Sequence, residues 1–380
     1  MNGERHPTVR FAEAVLLLLE QGGFVATYKY AVLLALIDLC LEGTNARGEP
    51  PETITTRQLA EAVVRLYWPQ VRPYPDPSGG ARELRQSSGR QAKIVSAVSQ
   101  FRGPEGDATV SLPAARLRDP DGWQRLLDEV EWTLVSMPLP RLQVIGREHR
   151  PLLYRLAWGL EIEQQRGRVR AYQQGRPGAD FDNRLHLLPG VGEDLVALNG
   201  LLRPIIHREW ARLVASYNDP AESRLEEFLF GASRVQLARV REPLVELQER
   251  RCFYCDRRLE RAIEVDHFIP WARHAEDAIE NLVAAHAQCN RDKRDFLAAA
   301  DHLARWVPRF EPDQSLALAL GGAALAVGWE TQPQRVIGAA RGLYLRLGED
   351  ARLWRSANDF EPARPEQLVR LLASGRYETG

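Results

Sequence analysis

Two pairs of residues stand out by type and spacing: Cys252-Phe253-Tyr254-Cys255 and, after thirty intervening residues, His286-Ala287-Gln288-Cys289. Thiolate and imidazole are the ligands that Zn2+ prefers. A two-residue gap lets a knuckle or a first helical turn aim both ligand atoms of a pair at one ion. Three of the four cysteines fall here, and in a reducing compartment that spacing favours metal over disulfide. A structural zinc contributes on the order of 10 kcal/mol to a small, poorly cored module. The fourth cysteine, Cys40 in Leu39-Cys40-Leu41, reads as a small core hydrophobe.

Between the pairs, Ala262-Ile263-Glu264-Val265-Asp266-His267-Phe268-Ile269-Pro270-Trp271 reads as a short apolar strand closed by Pro270. Asp266 and His267 sit at its end. Neighbours on a regular strand point to opposite faces, so both can serve one site only if the backbone leaves the ladder there. Further on come Asn281-Leu282, Asn290, Lys293 and Arg294. The spacing predicts a helix running on through Phe296 and Leu297, with Asn290, Lys293 and Arg294 on one face. His274 reads as a loop-surface residue, and Glu264 as an outward strand residue or a partner of the site.

This order of motifs resembles the HNH endonucleases, the ββα-metal nucleases of treble-clef zinc type, over about residues 251–297. The resemblance implies that His267 is the general base that takes a proton from the attacking water. It implies that Asp266 and Asn290 hold a Mg2+ or similar hard cation, which stabilises charge on the phosphate and on the leaving 3′ oxygen. Asn281 looks like the family's middle Asn, tying the loop and keeping the base oriented. Lys293 and Arg294 would grip phosphate, and Cys252, Cys255, His286 and Cys289 would hold the structural Zn2+. One departure is His286, where many members carry Cys; zinc accepts either.

The implied activity is hydrolysis of phosphodiester bonds in DNA, with RNA the alternative substrate, leaving 5′-phosphate and 3′-hydroxyl ends. HNH modules are attached to restriction, mobile-element and phage-defence proteins, so the rest of the chain could make it a regulated effector that senses a partner protein or a guide complex. The rival from another class is a zinc-knuckle module that binds nucleic acid or protein without cutting. Asp266-His267 with Asn290 discriminates against it, because a scaffold alone needs no such set.

The elements that must position these residues are mostly helical. Two apolar helices are predicted between Val9 and Gly43, broken at Gly22-Gly23. A third begins at Thr55, where Thr55 and Gln58 form a capping-box pattern. Helix, turn and helix in this order suit a helical structural domain, or a winged-helix module with Arg57, Arg65, Arg90 and Lys93 available for phosphates. The middle region mixes a helix over Trp123 to Val135, short strands at Leu142 to Ile145 and Arg184 to Leu188, and a helix from Leu195 to Tyr217. Beyond the chemistry-bearing segment, 301–306 and 316–347 read as further helices.

The expected architecture is thus a mainly α multidomain protein: a helical domain over 1–110, an α+β region over 111–241, the zinc-containing nuclease module over 242–300, and a helical region over 301–380.

At 380 residues, with 44% hydrophobic and 27% charged residues, the chain excludes fibrous and wholly disordered classes. Lys+Arg of 50 against Asp+Glu of 51 leaves no global basic field, so a nucleic-acid partner must be met locally. Only Lys29, Lys93 and Lys293 are lysines, so arginine is the default cation on every solvated face and carries little information by number. The polar, mixed-charge N-terminus lacks a secretory pattern, which predicts a cytoplasmic chain. The apolar stretches are too short or interrupted to span a bilayer.

Overall fold

A computed structural model describes residues 6–75, 80–103, 111–218, 222–231 and 237–373. The protein is mainly helical. The chain divides into two compact units, one of residues 1–39 and 51–231 and the other of 40–50 and 232–380. The boundary expected at residue 110 lies outside the described residues. The stretches expected as a nuclease module and as a separate helical tail belong to one unit, because the chain after the cysteine-rich segment supplies that segment's core. No helix among the described residues is long and apolar enough to cross a membrane.

In the first unit, the Pro7–Gln21 helix ends at Gly22, and the Tyr28–Glu42 helix stops before Gly43. The Thr56–Tyr67 helix opens with the capping box that its sequence announces: Gln58 N–H donates to Thr55 Oγ1 at 3.2 Å and Thr55 N–H donates to Gln58 Oε1 at 2.9 Å. Its buried stripe of Leu59, Ala62, Val63 and Tyr67 meets the Pro120–Ser136 helix. Arg57 is spent within the fold, donating to Asp128 at 2.6 Å and to Gln124 at 2.6 Å. A small antiparallel sheet joins Thr53–Thr55, Arg184–Leu187 and Tyr154–Arg155 in the order first, second, third. The stretch predicted as one helix from Leu195 is two, Val191–Ala197 and Asn199–Asn218, with Pro204 near the start of the second.

The second unit is built around one hairpin. Ile263–His267 pairs antiparallel with Leu282–His286, in a register that sets Asp266 opposite Val283 and His267 opposite Leu282. The Ala287–Lys293 helix follows directly. Among the described residues the unit also holds the Arg241–Leu247 helix, the helices Ala300–Trp306, Ser315–Val327, Pro333–Tyr344 and Pro365–Ala373, and a second hairpin of Arg352–Ser356 with Asp359–Pro362. That second hairpin has no counterpart in the sequence expectations.

Its core is aromatic. Phe268, just past the first strand, stacks on Trp306 at 4.4 Å, and Tyr254 meets Trp354 edge-on at 5.1 Å. The main chain closes the same link: Trp354 N–H donates to Leu297 O at 2.8 Å, and Ala299 N–H donates to Trp354 O at 2.7 Å. The segment leaving the site helix is therefore clamped to the C-terminal hairpin. At Gly338 a Cβ would stand 1.9 Å from Glu42 O, so only glycine allows the Pro333–Tyr344 helix to approach that carbonyl.

Candidate metal centre and active site

The knuckle forms where the chain turns back on itself between Arg251 and Arg258, which form an isolated bridge. Cys252 N–H donates to Arg257 O at 2.9 Å, and the turn passes through Asp256 at φ +57°. The other pair comes from the end of the second strand and the first turn of the helix. One ligand atom each from Cys252, Cys255, His286 and Cys289 lies within 4.8 Å of the other three. Cys255 Sγ is 3.3 Å from His286 Nδ1. A tetrahedral zinc with ligand bonds of about 2.0–2.3 Å requires such spacing.

Two further observations fit the same ion. His286 Nε2 lies 3.1 Å from Arg258 O, an arrangement that puts the ring proton on Nε2 and leaves the Nδ1 lone pair for a metal. The thiols also press on one another: burial, with Cys252 and Cys255 alongside, pushes Cys289 well up, while Cys255 is held below the usual thiol range, burial pushing it up and the Arg257 main chain and His286 pulling it down further. A divalent cation held by Cys252, Cys255, His286 and Cys289 would relieve that competition by taking the sulfurs as thiolates.

Facing this knuckle, the Ala287–Lys293 helix lies over one face of the first strand. Residues two apart on a strand share a face, so Glu264 and Asp266 point the same way. Asn290 Nδ2 donates to Glu264 Oε2 at 2.8 Å, and Lys293 Nζ lies 3.1 Å from Asp266 Oδ2. Three residues apart on the helix, Asn290 and Lys293 thus reach the two carboxylates in turn. Tyr254, from inside the Cys-x2-Cys turn, donates its hydroxyl to Asp266 Oδ2 at 2.5 Å. Burial, and then the charge of Asp266, hold the Tyr254 hydroxyl protonated well above the ordinary tyrosine range, so it remains a donor.

His267 faces elsewhere. The ladder stays regular through His267 rather than breaking at Asp266, and Phe268 N–H still donates to Asn281 O at 2.7 Å. Alternation therefore turns the His267 ring away from the Asp266 face. Its Nε2 lies 2.8 Å from Asp277 Oδ1, and its ring packs 5.1 Å from that of Trp271. Lys293 joins the two sides, donating also to the His267 carbonyl at 2.8 Å.

The connection between the strands is tied by Asn281, which is fully buried. Its Oδ1 accepts from Ile269 N–H at 2.8 Å, and its Nδ2 donates to Ile269 O at 3.2 Å and Glu276 O at 3.0 Å.

The structure thus brings Asp266, Asn290 and Lys293 to one strand face, sets His267 beside them on the other, and places Asn281 beneath the loop. Three residues depart from their expected places. Lys293 is wholly buried, so its ammonium neutralises Asp266 and caps a carbonyl instead of meeting solvent. The helix ends at Lys293; Arg294 has φ +49° and is exposed, so it leaves the face that it was predicted to share. His274, read as a surface residue, is buried, with Nε2 3.6 Å from Glu42 Oε1.

Sequence reasoning passed over Tyr254 and Asp277. Tyr254 was signalled only by its place between two cysteines, and Asp277 by nothing in its neighbourhood.

A hard cation would take oxygen ligands, and Asp266, Glu264 and Asn290 Oδ1 offer them on one face, in keeping with the one or two carboxylates that Mg2+ usually takes. No curated protein and no solved structure matches the chain. Residues 252–296, the stretch that holds the knuckle, the hairpin and the helix, match the HNH endonuclease family, and this segment is of nuclease type.

Proposed function

We propose that this protein is a metal-dependent endonuclease of HNH type that hydrolyses phosphodiester bonds in DNA, with a ββα-metal module as its catalytic unit. The observation that carries the reading is the seating of the helix: Asn290 and Lys293 reach Glu264 and Asp266 on one strand face. His267, the last residue of that strand, faces the other side, so the reading requires the scissile phosphate to lie across the strand end between them.

In this reading His267 takes the proton of the attacking water, a step worth roughly 10² to 10⁴ in rate. Asp266 and Asn290 hold the divalent cation, which when bound would offset negative charge on the phosphate and on the departing 3′ oxygen. Lys293 holds Asp266 in place. Asn281 fixes the loop, and Arg294, exposed at the helix end, meets a neighbouring phosphate. Cys252, Cys255, His286 and Cys289 hold zinc as a staple with no part in the bond-making step.

The test is incubation of the purified protein with plasmid, single-stranded DNA and RNA in Mg2+, with analysis of the ends. DNA fragments carrying 5′-phosphate and 3′-hydroxyl termini support the reading. Cleavage of RNA alone, or binding without cleavage of any of the three, contradicts it.

A further inference from the structure

We propose that a cavity beside the cysteine turn binds a phosphate group together with the sugar or base attached to it, as carried by a nucleotide or by a nucleic-acid strand. The proposal goes beyond the reading of the carboxylate face as a nuclease site and does not depend on Asp266 or His267.

The cavity measures about 190 Å3, and all the residues that line it belong to the second unit. It is smaller than the pockets that enclose a drug-sized ligand, so it takes a phosphate and the group next to it and not a longer oligomer. Arg251, Arg305 and Arg309 supply its cationic side, and Phe253, Leu316 and Leu320 an apolar side. That pairing is complementary to a phosphate ester, which joins an anionic head to a less polar body.

Arg309 carries the argument. Its side chain is buried, with the residue 4% exposed, and a buried charge is costly unless a counter-charge meets it. It donates to two main-chain carbonyls, Leu282 O at 2.6 Å and Glu280 O at 3.4 Å. Among the described residues, no carboxylate lies within ion-pair distance of its guanidinium, and its Nε has no hydrogen-bond partner. Arg305 likewise meets no carboxylate among the described residues; it donates to Tyr254 O at 3.2 Å and to His302 Nδ1 at 2.6 Å. Other arginines of the unit are spent on acids: Arg250 on Glu242 at 3.2 Å, Arg335 on Glu276 at 2.6 Å and Arg355 on Glu361 at 2.5 Å. Two guanidiniums without an acid line the same cavity, and their fork of N–H donors matches phosphate oxygens.

Both are held ready. Arg305 and Arg309 each set Cζ 5.4 Å from the centre of the Phe253 ring, so one aromatic ring positions the pair. Leu316 lies in the first turn of the Ser315–Val327 helix, a turn without an acidic residue, and so brings the positive end of that helix to the cavity. Among the described lining residues the opposing charge is Asp256, which is exposed and whose carboxylate lies 3.8 Å from Arg251. Three cations against one carboxylate leave the cavity positive.

The test titrates the full chain, with fold and zinc content checked, against inorganic phosphate, deoxyadenosine monophosphate and a short single-stranded oligodeoxynucleotide, read by calorimetry. It compares wild type with Arg305→Ala, Leu316→Trp and Asp256→Asn. Arg305 is exposed, so its loss leaves the core intact. Leu316→Trp fills the cavity without touching a charge. Wild type is expected to bind the mononucleotide more tightly than inorganic phosphate, because the apolar side adds to the affinity. Arg305→Ala should weaken that binding roughly tenfold, the lower end for a hydrogen bond to a charged group. Leu316→Trp should abolish it, and Asp256→Asn should tighten it.

Binding of the mononucleotide but not the oligonucleotide, weakened in Arg305→Ala and Leu316→Trp, supports the cavity with a free nucleotide as its ligand. The same pattern for the oligonucleotide but not the mononucleotide supports it with a strand as its ligand. Failure of wild type to bind any of the three probes overturns the proposal. Binding that Leu316→Trp leaves unchanged also overturns it, because that outcome marks attraction to surface charge outside the cavity. Binding of inorganic phosphate alone overturns the part assigned to the apolar side.

Discussion

The ammonium of Lys293 lies 3.1 Å from Asp266 Oδ2, the lysine side chain fully buried and the aspartate 10% exposed. The pair fastens the site helix to the strand, and Tyr254 completes it from the Cys252–Cys255 turn with a hydrogen bond to the same oxygen. Cysteine knuckle, helix and carboxylate are therefore parts of one connected structure.

Replacing Lys293 by Ala strands the Asp266 charge in a buried place and is expected to cost about 3–5 kcal/mol. Because the ammonium faces inward, the salt dependence of DNA binding should barely change, whereas Arg294→Ala should lower the slope by about one. Denaturant midpoints and binding titrations across salt check both. The reverse pattern, a stable Lys293→Ala protein with a reduced salt slope, would place this lysine on phosphate.

Cys289→Ser removes one of the four residues proposed to hold zinc and would leave the knuckle and helix joined only by weaker contacts. A structural zinc is worth on the order of 10 kcal/mol, so the variant should lose its metal and unfold its second unit at a much lower temperature. Elemental analysis alongside thermal melts checks this; wild-type stability in a zinc-free variant would remove the staple from the fold.

His207 in the first unit stacks on Phe230 at 3.9 Å, and burial, then the Arg203 charge, pushes it down to about 3. A histidine lowered in the folded state resists protonation while the unfolded chain accepts it. Its contribution is present above the unfolded value of about 6.5 and is lost as pH falls from there toward 3. Between pH 7 and pH 5 this amounts to about 1–2 kcal/mol. His207→Phe should flatten that part of the stability curve, as read from denaturation midpoints at the two pH values.

Asn281→Ala would leave Ile269 N–H and the carbonyls of Ile269 and Glu276 without their partner in a buried place. The expected loss is on the order of 3 kcal/mol, with cleavage falling along with it because the His267 loop is no longer tied. Hydrogen exchange at Ile269 N–H would show the opening directly.

Much of this was legible in the sequence, and the reasons are particular. The gathering of Cys252, Cys255, His286 and Cys289 could be read because Cys-x2-Cys and His-x2-Cys are short-range patterns, and the capping box at Thr55 because it is local too. The strand carrying Asp266 and His267 declared itself by its apolar run and its closing proline.

Lys293 was misread for a physical reason. Its type suggests a surface cation, and only the partner Asp266, twenty-seven positions earlier, makes burial tolerable. Asp277 and Trp329 meet across more than fifty residues, a contact that no local pattern encodes. The second hairpin was hidden because Trp354 declares its place only by packing on Tyr254, a hundred residues earlier.

The most direct measurement is cleavage of supercoiled plasmid by the purified wild-type protein and by His267→Ala, each in Mg2+ and in EDTA, with zinc content and fold verified in both. Wild type should nick or linearise the plasmid in Mg2+ and leave it intact in EDTA. His267→Ala should keep its zinc and its fold yet lose activity by roughly 10² to 10⁴. A His267→Ala protein that cuts as fast as wild type, or wild-type cutting that persists in EDTA, would contradict a metal-dependent site with His267 as its base.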